Sequence, residues 1–246
     1  MTETHVLALS GGKDSTAMAL RLMEIEPRDY KFVITPTGDE LPDMYEHWRN
    51  IGQLLGQQLT VLTTNRSLNG LIKKNNVLPN WRMRWCTKQL KIDPFNAFLL
   101  KHLPAVSYVG LRADEPAEMR RGAIFGGGDQ VTQRYPLREW GWDINDVFKY
   151  LAEKNITIPP RTDCARCFYQ TLGEWWWLWH DYPTVYQNAV EQETATGHTF
   201  RSPQRDKWPT SLADLRLEFE KDRIPRGGGQ YDLMGQRPNM CRVCSL

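Results

Sequence analysis

What the sequence lacks narrows the field first. No apolar stretch approaches the ~18 residues that a membrane-spanning helix needs; the longest near the N-terminus is Val6 to Leu9. No basic region or cleavage site precedes that stretch, so a cytoplasmic protein without a secretory signal is expected. Charge of neither sign dominates. The 31 Lys and Arg against 29 Asp and Glu leave a net charge of +2, which argues against a histone-like polybasic protein. The 5 histidines form no zinc-protease or hydrolase motif. There is no internal repeat and no long low-complexity tract. At 41% hydrophobic and 24% charged residues, the composition excludes collagen, coiled coil and a disordered chain. The 5 cysteines are odd in number. Without a secretory signal they speak against a disulfide framework and for a metal or redox site.

What is present is an alternation. At ~150 residues per domain, 246 residues predict one large domain or one domain with an appendage. Val6 to Leu9, Tyr30 to Thr35, Leu59 to Leu62 and Ala105 to Leu111 read as strands. Thr16 to Ile25, Pro42 to Leu55, Asp93 to Leu103 and Asp143 to Lys154 read as helices, the last capped by Asp143. Strand-helix alternation predicts an α/β fold with a doubly wound, mostly parallel sheet over residues 1–160. After Pro159-Pro160 the pattern changes. Residues 161–246 hold four of the five cysteines, a tryptophan-rich run and no convincing strand, which predicts a helical, cysteine-rich C-terminal lobe.

The strongest chemical signal lies between the first strand and the first helix. In Ser10-Gly11-Gly12-Lys13-Asp14-Ser15 two glycines allow positive φ and turn successive N–H groups toward one point. The following helix adds its positive N-terminal end. Ser10 and Ser15 supply hydroxyls, and Lys13 supplies a cation. This set suits pyrophosphate. It is not a Walker A loop, because Asp14 rather than Ser or Thr follows the lysine.

The loop resembles the pyrophosphate loop of the adenine nucleotide α-hydrolase superfamily. Four further blocks resemble its phosphoadenosine phosphosulfate reductase-like branch. They are Thr37-Gly38-Asp39-Glu40-Leu41-Pro42 with Tyr45, Cys86-Thr87-Lys88-Gln89-Leu90-Lys91-Ile92-Asp93-Pro94, Gly110-Leu111-Arg112-Ala113-Asp114-Glu115 with Arg120-Arg121, and Tyr135-Pro136-Leu137 with Trp140, Asp143 and Asp146-Val147. The likeness implies an adenine nucleotide α-hydrolase-like fold and an enzyme that binds ATP, cleaves it to AMP and pyrophosphate, and adenylates an acceptor. Lys13, Gly11 and Gly12 would hold pyrophosphate, Asp14 or Asp39 would position Mg²⁺, and Arg112 would bind nucleotide or substrate. Sulfonucleotide reductases of the branch usually replace the loop lysine and carry a Glu-Cys-Gly-hydrophobic-His tail. This chain keeps Lys13 and ends Met240-Cys241-Arg242-Val243-Cys244-Ser245-Leu246. A retained cation suits a departing pyrophosphate. Together with the Cys86 block it resembles the sulfurtransferase members, including those acting in DNA phosphorothioation. That likeness implies a cysteine desulfurase or thiol as sulfur donor and admits nucleic acid as acceptor. Thiol-dependent reduction of a sulfonucleotide, releasing sulfite, is the alternative, as is a nucleotide- or nucleic-acid-binding module that has lost catalysis.

Cys164-x-x-Cys167 and Cys241-x-x-Cys244 form two knuckles, each placing two thiolates on one side of a turn. Four thiolates satisfy tetrahedral Zn²⁺ or a [4Fe–4S] cluster; the family resemblance favours the cluster. Two arrangements stay open. Either the four distal cysteines are the ligands and Cys86 is a sulfur carrier, or Cys86 joins the ligands and one distal cysteine is reactive. Arg82, Arg84, Lys88 and Lys91 cluster around Cys86, and cations near a thiol favour thiolate. Asp39 and Glu40 follow a strand end, where ligands of open α/β sheets gather. Either could meet Mg²⁺ or ribose, and Asp39 could equally cap a helix. Trp175, Trp176, Trp177 and Trp179 are expected to pack the lobe rather than stack on bases.

Overall fold

The computed structural model describes residues 3–116, 128–203 and 206–229. Five strands form one sheet: β1 (Thr4–Ala8), β2 (Tyr30–Ile34), β3 (Thr60–Val61), β4 (Ala105–Tyr108) and β5 (Val131–Arg134). Their order is β3-β2-β1-β4-β5 and every pair is parallel. In register, Leu7 of β1 lies opposite Phe32 on one side and Tyr108 on the other. The chain builds outward from β1 in one direction and then crosses back to β4. The reversal therefore falls beside β1, the place where open α/β sheets bind ligands.

Helices cover both faces, which is why β1 is apolar at consecutive positions rather than alternating. On one face Leu7, Phe32 and Tyr108 pack with α1 (Lys13–Ile25), α2 (Pro42–Leu54) and α7 (Ile144–Glu153). On the other, Val6, Ala8 and Val33 meet Phe95 and Leu99 of α5 (Asp93–Leu100). The crossover to β4 also carries α3 (Leu68–Asn75) and α4 (Trp85–Thr87), the latter joined to α5 by a π turn over Lys88–Ile92. Short α6 (Pro136–Glu139) leads to α7. Asp143 caps α7 in a reciprocal box with Asp146, as its sequence predicts.

Beyond residue 160 the described chain is helical: α8 (Leu172–Asp181), α9 (Pro183–Thr196) and α10 (Leu212–Phe219). These helices share a core with Leu68, Leu71, Ile72 and Leu90 of the crossover. Trp175 is fully buried at its centre. The Trp177 indole N–H donates to the Gly227 carbonyl at 3.2 Å. The tryptophan run is thus packing material, because the indoles bury a large apolar area in this shared core.

Candidate functional site

The loop after β1 is shaped from below by α2. The His47 Nε2–H donates to the Gly11 carbonyl at 2.9 Å, and the Trp48 indole N–H donates to the Ser10 carbonyl at 3.0 Å. In a trans peptide the next N–H points opposite to the carbonyl. Holding both carbonyls toward α2 therefore turns the N–H groups of Gly11 and Gly12 the other way. Gly11 achieves this at φ +83°, and a Cβ there would lie 2.6 Å from the Trp48 indole nitrogen. Ser10 Oγ accepts from Gly12 N at 3.2 Å and sits 3.0 Å from Ser15 Oγ. Gly12 caps α1 without any side-chain bond, which leaves first-turn N–H groups for an anion. Burial keeps His47 below its usual pKa despite the pull of its bond to Gly11. The neutral donor is thus the form that braces the loop.

Charge gathers around the start of α1. Lys13, Asp14 and Arg112 are all buried there. Arg112 Nη1 donates to both Asp14 oxygens at 3.1 and 3.0 Å, and its Nε donates to Asp114 at 2.8 Å. Glu115 stands 3.3 Å from the same guanidinium. Burial alone would lower the Arg112 pKa, but Asp114, Asp14 and Glu115 outweigh it and drive it up. Three carboxylates therefore engage Arg112, and it acts as a brace between the β4 loop and α1. Lys13, 3.4 Å from Asp14, is the more lightly engaged cation beside the loop. Gly110 permits this approach, since a Cβ there would be 3.1 Å from Ser15 N.

Asp39 is buried and Glu40 half-buried. Glu40 folds back on its own loop, accepting from Thr37 N and Oγ1 at 2.7 Å and from Gly38 N at 3.0 Å. Asp39 Oδ1 accepts from Arg166 Nε at 2.9 Å, and its backbone carbonyl accepts from Ala165 N at 2.6 Å. The loop after β2 is thereby fastened to the turn bearing Cys164 and Cys167. Thr37 Oγ1 completes the junction 3.2 Å from Cys164 Sγ.

Cys86, Cys164 and Cys167 line one small cavity of about 20 Å³ together with Thr37, Lys91 and Arg166. Sequence spacing alone left Cys86 apart from the knuckle; the fold brings them together. Thiols are the donor type that Zn²⁺ and iron–sulfur clusters take. Two buried donors next to Cys86, Arg84 Nε and Trp85 Nε1, have no hydrogen-bond partner, as a neighbouring anion or sulfur would supply. The volume holds roughly one water-sized sphere, so a four-iron cluster requires the walls to part. Among the described residues no three His, Cys, Asp or Glu side chains stand close enough to hold an ion. Cys241, Cys244, Arg120 and Arg121 lie outside the described residues.

His47, Trp48 and Arg166 are the site residues that sequence reasoning passed over, while Thr37 was read only as the start of a family-like block. The first two occupy an ordinary amphipathic helix and carry no motif signal.

No curated protein matches the chain in sequence. Among solved structures, the phosphoadenylyl-sulfate (PAPS) reductase from Candida auris in its phosphate complex matches at a TM-score of 0.48 and 15% identity, over 64% of this chain and 76% of that one. The phosphoadenosine phosphosulfate reductase domain matches residues 4–176, more than half of the sequence. The chain therefore belongs to the phosphoadenosine phosphosulfate reductase domain family.

Proposed function

We propose that the chain binds ATP with its polyphosphate on Ser10–Ser15, cleaves it between the α- and β-phosphates, and adenylates an acceptor for sulfur transfer. The observation that carries this reading is the retained, buried Lys13 at the mouth of a loop whose carbonyls are held toward α2. An acceptor oxygen would attack the α-phosphorus, and the bond to the β-phosphate oxygen would break with pyrophosphate leaving. Lys13 and the N–H groups of Gly11 and Gly12 would stabilise the charge that develops on that leaving group, an effect strengthened where water is excluded. Asp14, already oriented by Arg112, is the carboxylate to receive a Mg²⁺ carried in by the triphosphate. Asp39 is the alternative carboxylate for that role, paired with Arg166 as Asp14 is with Arg112.

A [4Fe–4S] cluster or Zn²⁺ would take thiolates from Cys164 and Cys167 together with Cys241 and Cys244, since the described cysteines alone do not gather closely enough to hold an ion. Cys86, lining the same cavity as Cys164 and Cys167, would then be the sulfur carrier. A thiolate-bound metal would offer a site for handling sulfur next to the loop that Asp39 anchors. Purified protein incubated with ATP and acceptor should release AMP and pyrophosphate; ADP and phosphate would overturn the cleavage position. Metal analysis with an absorption spectrum of anaerobic protein separates iron–sulfur from zinc.

A second reading is favoured by the family and by three cysteines sharing one cavity. It is thiol-dependent reduction of a sulfonucleotide. Sulfite released from phosphoadenosine phosphosulfate in the presence of a reduced thiol, with no turnover of ATP, would establish it instead.

A further inference from the structure

Between α2 and edge strand β3 lies a cavity of about 550 Å³. This is within the range of small-molecule pockets and far larger than the cysteine cavity. Ile34, Pro36, Leu59 and Val61 give it an apolar floor, and Tyr45 and Trp48 form an aromatic wall with rings 5.6 Å apart at 89°. Arg49 stands at its edge, exposed, with no ion pair or hydrogen bond among the described residues. Gln53, Gln57 and Gln58 also line it. A mostly apolar, open cavity with one uncommitted guanidinium selects a particular ligand chemistry: a flat or apolar body carrying one acidic group.

Trp48 is a wall shared by this chamber and the phosphate loop. Its ring lines the cavity, while its N–H holds the Ser10 carbonyl at 3.0 Å and its edge fills the space that a side chain at Gly11 would need. Ser10 in turn accepts from Gly12 N. A molecule that shifts the indole must therefore shift the groups expected to face phosphate.

We propose that this chamber binds a small aromatic or apolar acid, its carboxylate or sulfonate on Arg49, and that Trp48 couples its occupancy to anion binding at Ser10–Ser15. The site is independent of whether the enzyme cleaves ATP or reduces a sulfonucleotide. The probe is 8-anilinonaphthalene-1-sulfonate, an aromatic sulfonate whose fluorescence rises in apolar surroundings, titrated into the full chain. Saturable binding of one probe per chain is expected. Arg49→Gln should weaken it ~tenfold through loss of a charge-assisted bond. Gln53→Trp, at an exposed helical position on the cavity wall, should abolish it. Inorganic pyrophosphate should change the probe affinity severalfold, with the reciprocal change in pyrophosphate affinity. Trp48→Phe, which keeps the ring and loses the N–H, should bind the probe without that coupling. If Arg49→Gln and Gln53→Trp both bind like the parent, the chamber is not the site. Should pyrophosphate leave the probe affinity unchanged, the Trp48 link is wrong.

Discussion

Asp39 and Arg166 form a buried ion pair, with side chains only 4% and 6% exposed, that ties the loop after β2 to the turn between Cys164 and Cys167. The backbone reinforces it. Arg166 N donates to Asp39 Oδ2 at 3.2 Å, and Ala165 N donates to the Asp39 carbonyl. The cysteine turn and the mouth of the sheet are therefore one mechanical unit, although 127 positions separate the two residues.

That pairing makes an energetic prediction. Removing one member of a buried pair strands the other charge, typically at about 3–5 kcal/mol, whereas replacing both often costs far less. Arg166→Met should show the large loss in urea unfolding, and Asp39→Asn with Arg166→Met should recover much of it. The single variant should also raise the rate at which Cys164 and Cys167 react with a thiol reagent. Additive losses in the two variants, each under about 1 kcal/mol, would mean that the pair behaves like an exposed one.

Gly11 offers a cleaner test because Gly56 serves as its control. Both sit at positive φ, +83° and +66°, yet a Cβ at Gly56 meets nothing within 4 Å while one at Gly11 meets Trp48 at 2.6 Å and Met44 at 2.9 Å. Gly56→Ala should cost only the backbone penalty, about 1–2 kcal/mol. Gly11→Ala should cost more and also weaken pyrophosphate binding by at least ~tenfold, since Trp48 must leave the Ser10 carbonyl. Calorimetric titration with pyrophosphate checks this; equal behaviour of the two variants would show that the α2 brace does not shape the loop.

Arg112 should be intolerant of lysine. A lysine keeps the charge but has a single ammonium, and Arg112 uses separate nitrogens for Asp14 and Asp114. Arg112→Lys should therefore lose about 2 kcal/mol of stability, the scale of one charged hydrogen bond. Its pyrophosphate affinity should fall less than that of Lys13→Ala, because Arg112 acts through Asp14. A larger fall in Arg112→Lys than in Lys13→Ala would reverse the roles assigned to the two cations.

Local pattern was enough to expose most of the sheet and not the contacts that shape the site. Strand β1 was legible because Val6 to Leu9 is an apolar run between polar turns, and α7 because Asp143 and Asp146 form a cap that any helix of that sequence would use. Strand β5 was missed because Val131–Arg134 is an edge with one apolar residue, held by pairing to β4 rather than by its own composition. The helix expected from Thr16 begins at Lys13, since the cap is the glycine backbone and not a side chain. The loop Ser10–Ser15 and Arg112 were found from short motifs. The Asp39–Arg166 pair, the convergence of Cys86 on Cys164 and Cys167, and the bonds from His47 and Trp48 are products of tertiary packing. No spacing rule encodes them.

Glu193 should give the packing of α9 and α10 a pH-dependent stability of unusual sign. It lies buried on α9, with Oε1 accepting from Phe200 N at 2.8 Å and Oε2 from Leu212 N at 2.6 Å, so it pins α9 to the start of α10. Burial pushes its carboxyl up to about 7 from an ordinary value of 4.5, against the pull of those two N–H groups and of Arg201. Between these values the folded state holds the proton more tightly than the unfolded chain. Unfolding free energy must then fall as pH rises through that window and level off above it. The full difference is on the order of 3 kcal/mol. Glu193→Gln is neutral throughout and should lack this decline, so its melting temperature should gain on the parent's from pH 4.5 to about 8. A constant difference between the two melting curves would show that Glu193 titrates like an exposed glutamate, and its bonds to Phe200 and Leu212 would then be made by the carboxylate at neutral pH without penalty.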